Sequence, residues 1–241
     1  MNATDDLPKP VEAALAAFVA ALREVFADDL VGVVLFGSAA EARLRPTSDV
    51  NVVVVLGAGE TARLAAIGEA YRLAHAAIRL SAMFIREAEI AAASDAFAVK
   101  FADIAARHRV LLGRNPFAAL AVSRESALWR SRQVSLNLLL RLRERLALSA
   151  NFPEQLAVAA ADAVGPLRAC AATLLSLESG AELTPRDALR RLADEEGETP
   201  ALAAIVEARE SGRVPQAGGV ATIGSAIALA AAIQARAERL S

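Results

Sequence analysis

The sequence predicts an α/β N-terminal domain followed by an all-α helical bundle, and three observations carry that prediction. Two apolar, β-branched runs, residues 31–36 and 50–56, read as buried strands, the second interrupted only by Asn51 near its start. From residue 123 onward, helical spacing of apolar residues recurs between proline and glycine punctuation. The 241 residues are 55% apolar and only 4% aromatic, mostly alanine and leucine, which favours helices and suffices for one large or two modest cores. The domains are placed at residues 1–118 and 119–241.

Taken in order, residues 10–27 carry alanine, leucine, valine and phenylalanine at helical spacing and open on a proline suited to a first turn. Asp28 and Asp29 end that helix before the strand at 31–36. After the strand at 50–56, Gly57-Ala58-Gly59 is a turn and Thr61 caps a helix to about residue 78. The run LSAMFIR, residues 80–86, is the next strand, so the order is helix, strand, strand, helix, strand. Ser94-Asp95 cap a helix to residue 107, and Val110-Leu111-Leu112 is a short strand stopped by Gly113 and Pro116. Helices follow at 123–149, 153–179, 185–195, 200–210 and 220–240, with Pro185 and Pro200 as starts and Gly180, Gly197 and Gly212 among the stops.

Composition restricts the partners. A net charge of −2 predicts no nucleic-acid partner. Residues 100–149 nevertheless hold ten basic residues against Asp103, Glu125 and Glu144. That bias reads as a solvated face or domain seam ahead of a positive wall over a triphosphate. Residues 153–179 and 217–235 are long and apolar, but Asp162 and Arg168 in the first and the alanine and glycine of the second make them core helices, with no membrane partner. Cys170 alone forms no internal disulfide and reads as a buried side chain in a reducing compartment. The acidic opening MNATDDLP shows no secretory pattern, so a cytoplasmic location is expected. His75 and His108 are isolated and read as structural, zinc lacks ligands, and Trp129 reads as packing.

One stretch suggests a site. Gly37 directly after a strand lets the backbone approach a ligand, and Ser38 supplies a hydroxyl and amide for phosphate oxygens. Asp49 and Asn51, two apart, face one way while Val50 faces the core, which is metal-ligand spacing.

The segment Gly37-Ser38, a spacer and Asp49-Val50-Asn51 resembles the signature of the DNA polymerase β-like nucleotidyltransferases, with Ala40, Arg45, Pro46, Ser48 and Asp49 in register. Asp95-Ala96-Phe97, Asp103-Ile104, His108 to Gly113 and Pro116-Phe117 resemble the end of the catalytic domain in bacterial members. The following helices resemble the bundle of kanamycin- and streptomycin-type enzymes, which positions the acceptor. The resemblance implies a mixed sheet and two magnesium ions on three carboxylates holding a nucleoside triphosphate. Three positions depart: Glu41 stands where arginine is usual, Ala42 where glycine is usual, and Asn51 where the second carboxylate belongs. The strand at 80–86, where the third is expected, has no acid, and Glu87 and Glu89 lie beyond it.

Gly37 and Ser38 are thus the nucleotide-binding candidates, and Asp49 and Asn51 the catalytic and metal-binding ones, with magnesium held weakly or not at all. The favoured reading is a weakened or inactive nucleotidyltransferase-fold protein binding a nucleotide or a partner. The alternative is a magnesium-dependent enzyme moving a nucleoside monophosphate to a small-molecule or protein hydroxyl, with Glu125 or Glu144 as base. Related enzymes recruit such a base from the helical domain, sometimes across a homodimer. A third reading is a structural or regulatory partner with no ligand.

Overall fold

The N-terminal strands pair because their β-branched residues are buried on both faces. A computed structural model describes residues 6–44, 48–181 and 183–240; Arg45 and Pro46 of the motif lie outside them. The chain divides into two units, one running to Ala96 and resuming over Lys100–Val122, the other formed by Phe97–Val99 and the residues from Ser123 on.

In the first unit, α1 (Lys9–Phe26) leads into β1 (Leu30–Phe36), and β2 (Val50–Leu56) follows. The single helix expected after β2 is two, α2 (Thr61–Ala66) and α3 (Gly68–Ile78), with Glu60 rather than Thr61 at the cap position. Gly68 at the junction weakens helical continuity. β3 (Leu80–Arg86) matches expectation. Ser94 and Asp95 lie inside α4 (Ile90–Ala96) rather than capping a helix, because the Ser94 hydroxyl donates back to the Ala91 carbonyl at 2.7 Å. Then come α5 (Ala98–Ala106) and β4 (His108–Gly113).

The sheet is four-stranded in the order β3-β2-β1-β4. β1 is antiparallel to both β2 and β4, while β2 and β3 are parallel, so the sheet is mixed. One face packs Val33, Leu35, Val52 and Val54 against Phe18, Leu22, Phe26 and Ile78 of α1 and α3. The other packs Val34, Val53, Val55 and Ile85 against Ile90, Phe101, Ile104 and Phe117.

Asp29 locks the turn after β2. Its Oδ1 accepts from the Ala58 amide at 2.6 Å and its Oδ2 from Gly59 at 3.2 Å, while the Gly57 amide donates to its carbonyl at 2.9 Å. These amides, that of Ala58 foremost, hold its carboxyl below the ordinary value. A depressed carboxylate pKa contributes stability that is present above the unfolded value and lost as pH falls through the folded one. Asp29→Ala is expected to cost about 1 kcal/mol at pH 7. The difference from the parent should shrink in urea melts taken below pH 4, the unfolded value being near 3.8.

The second unit is helical: α6 (Arg124–Ser149), α7 (Pro153–Ser179), α8 (Pro185–Glu195), α9 (Thr199–Ser211) and α10 (Gly219–Arg239). The side-chain oxygens of Ser123 and Thr184 cap α6 and α8 by accepting from the amides of Ser126 and Asp187. The long apolar helices α7 and α10 supply Leu156, Leu167, Leu174, Ile223, Leu229 and Ile233 to one core. A Cβ on Gly219 would stand 2.5 Å from the Pro153 carbonyl, so the start of α10 abuts the start of α7.

Candidate functional site

Sheet register assembles the candidate residues. Asn51 of β2 is flanked by Phe36 of β1 and Ser81 of β3. Alternation sends the fully buried Val50 to the α1 face and leaves Asn51, half-buried, at the open end of the face carrying Val53 and Val55. A Cβ on Gly37 would lie 3.9 Å from Asn51 Nδ2, and that Nδ2 donates to the Asp49 carbonyl at 3.3 Å. Gly37, Ser38, Asp49 and Asn51 therefore belong to one end of the sheet.

Gly37 has φ +75°, the left-handed region glycine adopts freely, and begins a 3-10 turn, Gly37–Ala39. The first amides of such a turn have no preceding turn to donate to, and those of Ser38 and Ala39 have no hydrogen-bond partner among the described residues. Nor does the Ser38 hydroxyl.

Two arginines fasten the loop that follows. Arg109 Nε donates to the Ala40 carbonyl at 2.5 Å, and Arg107 pairs with Glu41 at 2.8 Å and with Asp103. Ala42 has a φ of +55°, in the left-handed region that glycine adopts freely, at a cost of about 1–2 kcal/mol.

Arg79 was absent from the sequence candidates. Extending the β2–β3 register one residue outward from Val50 and Leu80 brings it beside Asp49, and its Nε donates to Asp49 Oδ1 at 2.7 Å. The pair is open to solvent, with side chains 61% and 50% exposed. Arg79 ends α3 with φ +51°, its amide donating to the His75 carbonyl at 2.8 Å. No local pattern marks such a residue, because its neighbour is set by parallel pairing. Lys100 adds a second cation, its Nζ 5.7 Å from the centroid of the Phe36 ring; burial lowers its pKa.

The acids beyond β3 sit at the wrong end. Arg86 aligns with Leu56, so Glu87 and Glu89 lie a seven-residue strand away from Asp49, roughly 20 Å. Glu89 accepts from Arg86 Nε at 2.8 Å, which holds its carboxyl below the usual range, and Glu87 pairs with Arg114. On the face of Asn51, β3 presents Ser81 and Met83. Among the described residues no three His, Cys, Asp or Glu side chains cluster as metal ligands. One carboxylate already paired with arginine and an amide showing its donor end do not fit a two-magnesium centre.

The basic run is partly internal structure. Arg107, Arg109 and Arg114 are paired as above, Arg124 donates to the Leu177 carbonyl, and Arg132 Nε to that of Ala237 at 3.1 Å. Arg141, Arg143 and Arg145 are exposed on α6. Both histidine rings donate Nδ1–H to backbone carbonyls, His75 to Leu80 at 2.9 Å and His108 to Ile104 at 2.8 Å. Burial pushes the Cys170 thiol up to about 12, leaving it unreactive. Trp129 departs from the packing expectation: it is 59% exposed.

No family model matches the sequence, and no curated protein matches it. Among solved structures, a spectinomycin adenyltransferase, AAD(9) from Enterococcus faecialis, solved with ATP and spectinomycin, superposes with a TM-score of 0.68 at 11% identity. The match covers 92% of this chain and 99% of that one. With its mixed four-stranded sheet carrying Gly37-Ser38 and Asp49-Val50-Asn51 at one end, and a helical unit after it, this chain has a fold similar to that of the spectinomycin adenyltransferase.

Proposed function

We propose that this chain is a nucleotidyltransferase-fold protein in which transfer is weakened or lost and which binds a nucleotide, or failing that a partner, in the cytoplasm. The observation that carries the reading is Asp49. Among the described residues it is the one carboxylate beside Gly37 and Asn51 at this end of the sheet, it is paired with Arg79, and Asn51 and Ser81 stand beside it where acids would have to hold metal. Without that charge, neither the triphosphate nor the attacking hydroxyl is activated by a cation.

The alternative is a magnesium-dependent enzyme moving a nucleoside monophosphate to a small-molecule or protein hydroxyl. It is favoured by near-complete coverage of a chain solved with ATP and spectinomycin. Pyrophosphate release separates the two readings. The protein is incubated with magnesium, each of the four ribonucleoside triphosphates, and spectinomycin or streptomycin as acceptor, beside calorimetric titration of the same nucleotides. Binding of at least one nucleotide with pyrophosphate release no faster than in its absence is expected. Release requiring both magnesium and acceptor would establish the enzyme. No binding of any nucleotide would remove the nucleotide and leave the partner.

A further inference from the structure

We infer that the open end of the sheet is a phosphate-binding site that works without a metal ion, with Arg79 as its cation and Asp49 as an internal competitor for it. This rests on the reading that the chain binds a nucleotide and names how.

The argument is the chemistry of the groups assembled there. A magnesium site presents anionic oxygen acceptors. This one presents donors: the Ser38 and Ala39 amides, the Ser38 hydroxyl, and Asn51 Nδ2, next to Gly37. Replacing a carboxylate by an amide at position 51 exchanges an acceptor-only group for one whose NH2 can face an anion. Its assignment follows from its contact, because the Asp49 carbonyl can only accept. Arg79 brings a planar fork that matches phosphate oxygens, and Lys100 a further charge near Phe36.

Among the described residues Asp49 is the one anionic group set against these. It occupies Arg79 Nε at 2.7 Å and would repel an arriving phosphate. An exposed ion pair of this kind is weakly held, so a multiply charged phosphate can displace it. Arg79 itself occupies a left-handed position usually given to glycine or asparagine, where its backbone serves the α3-to-β3 turn and its side chain reaches Asp49. The ligand is therefore a di- or triphosphate ester, bound more tightly at low ionic strength.

The sign of the Asp49→Ala effect distinguishes this site from a metal site. The full chain is titrated calorimetrically with ATP and with inorganic pyrophosphate, in EDTA and in magnesium. Circular dichroism confirms that each variant is folded. ATP binding in EDTA is expected, with no tightening by magnesium. Asp49→Ala is expected to tighten ATP three- to tenfold, because it frees Arg79 and removes the repulsion. Arg79→Ala should weaken it tenfold or more, with Arg79→Lys between. Pyrophosphate following the same order assigns recognition to the phosphates; pyrophosphate failing while ATP binds would overturn a phosphate site. ATP binding that needs magnesium and is lost in Asp49→Ala would overturn the inference while leaving a nucleotide-binding protein. Binding in EDTA indifferent to Arg79→Ala would overturn it too, placing the ligand elsewhere. No binding of either ligand by any variant would sink this inference and the nucleotide reading together.

Discussion

Asn51→Asp is expected to make nucleotide binding respond to magnesium, tightening ATP about thirtyfold over the same variant in EDTA, where the parent protein shows no such gain. The magnitude is a Coulomb argument. Two unit charges 4 Å apart attract by about 1 kcal/mol even at the dielectric of water, so one added carboxylate gives a divalent ion about 2 kcal/mol, or roughly thirtyfold. The position suits the change, since Asn51 is half-buried beside Gly37 and its side chain's one hydrogen bond among the described residues is the 3.3 Å contact with the Asp49 carbonyl. The new carboxylate would also compete for Arg79, so the double variant Asn51→Asp, Arg79→Ala should respond more strongly than the single one. Calorimetry across a magnesium series measures both. A variant whose response matches the parent's would mean that position 51 does not decide metal binding.

Arg236→Ala is the stability change expected to be largest, about 2–3 kcal/mol, seen as a Tm lowered by roughly 5–10 °C. Arg236 is 14% exposed on α10 and pairs with Glu178 at 2.6 Å, with Glu195 at 2.6 Å and with Glu196 at 3.5 Å. It joins α10 to α7 and α8, and its loss leaves Glu178, 19% exposed, without its cation. Glu195 retains Arg191 and Glu196 retains Arg239, which keeps the effect below that of a fully buried pair broken outright. Hydrogen bonds from Arg191 first and Arg236 second hold the Glu195 carboxyl below its ordinary value. Its contribution is therefore present above the unfolded pKa, near 4.5, and is lost as pH falls. The variant should show a shallower loss of stability between pH 5 and pH 3 than the parent. Arg236→Lys, keeping charge without the fork, should recover only part of the Tm.

The strands and long helices were legible because each is written in local terms. The valine runs of β1 and β2, the punctuation by Pro153, Pro185 and Gly180, and the Gly37-Ser38 turn are patterns within a few residues. The division of α2 from α3 and the position of Ser94 inside α4 were not legible. A glycine at a junction and a serine bonding back to a carbonyl each allow two local outcomes, and packing selects one. Exposed Trp129 is a miss of the same kind, since helical periodicity does not say which stripe meets a core.

By itself the sequence determined which groups are available at the site: a glycine turn, one hydroxyl, one acid, an amide in place of a second acid, and a strand with no third. Only the tertiary structure decided what those groups face. Parallel pairing of β2 with β3 set Arg79 against Asp49 and carried Glu87 and Glu89 to the far end of the sheet. The physical reason is that strand register is a long-range choice, made by burying Val52, Val54 and Leu80 together, and every polar neighbour at the strand ends follows from it.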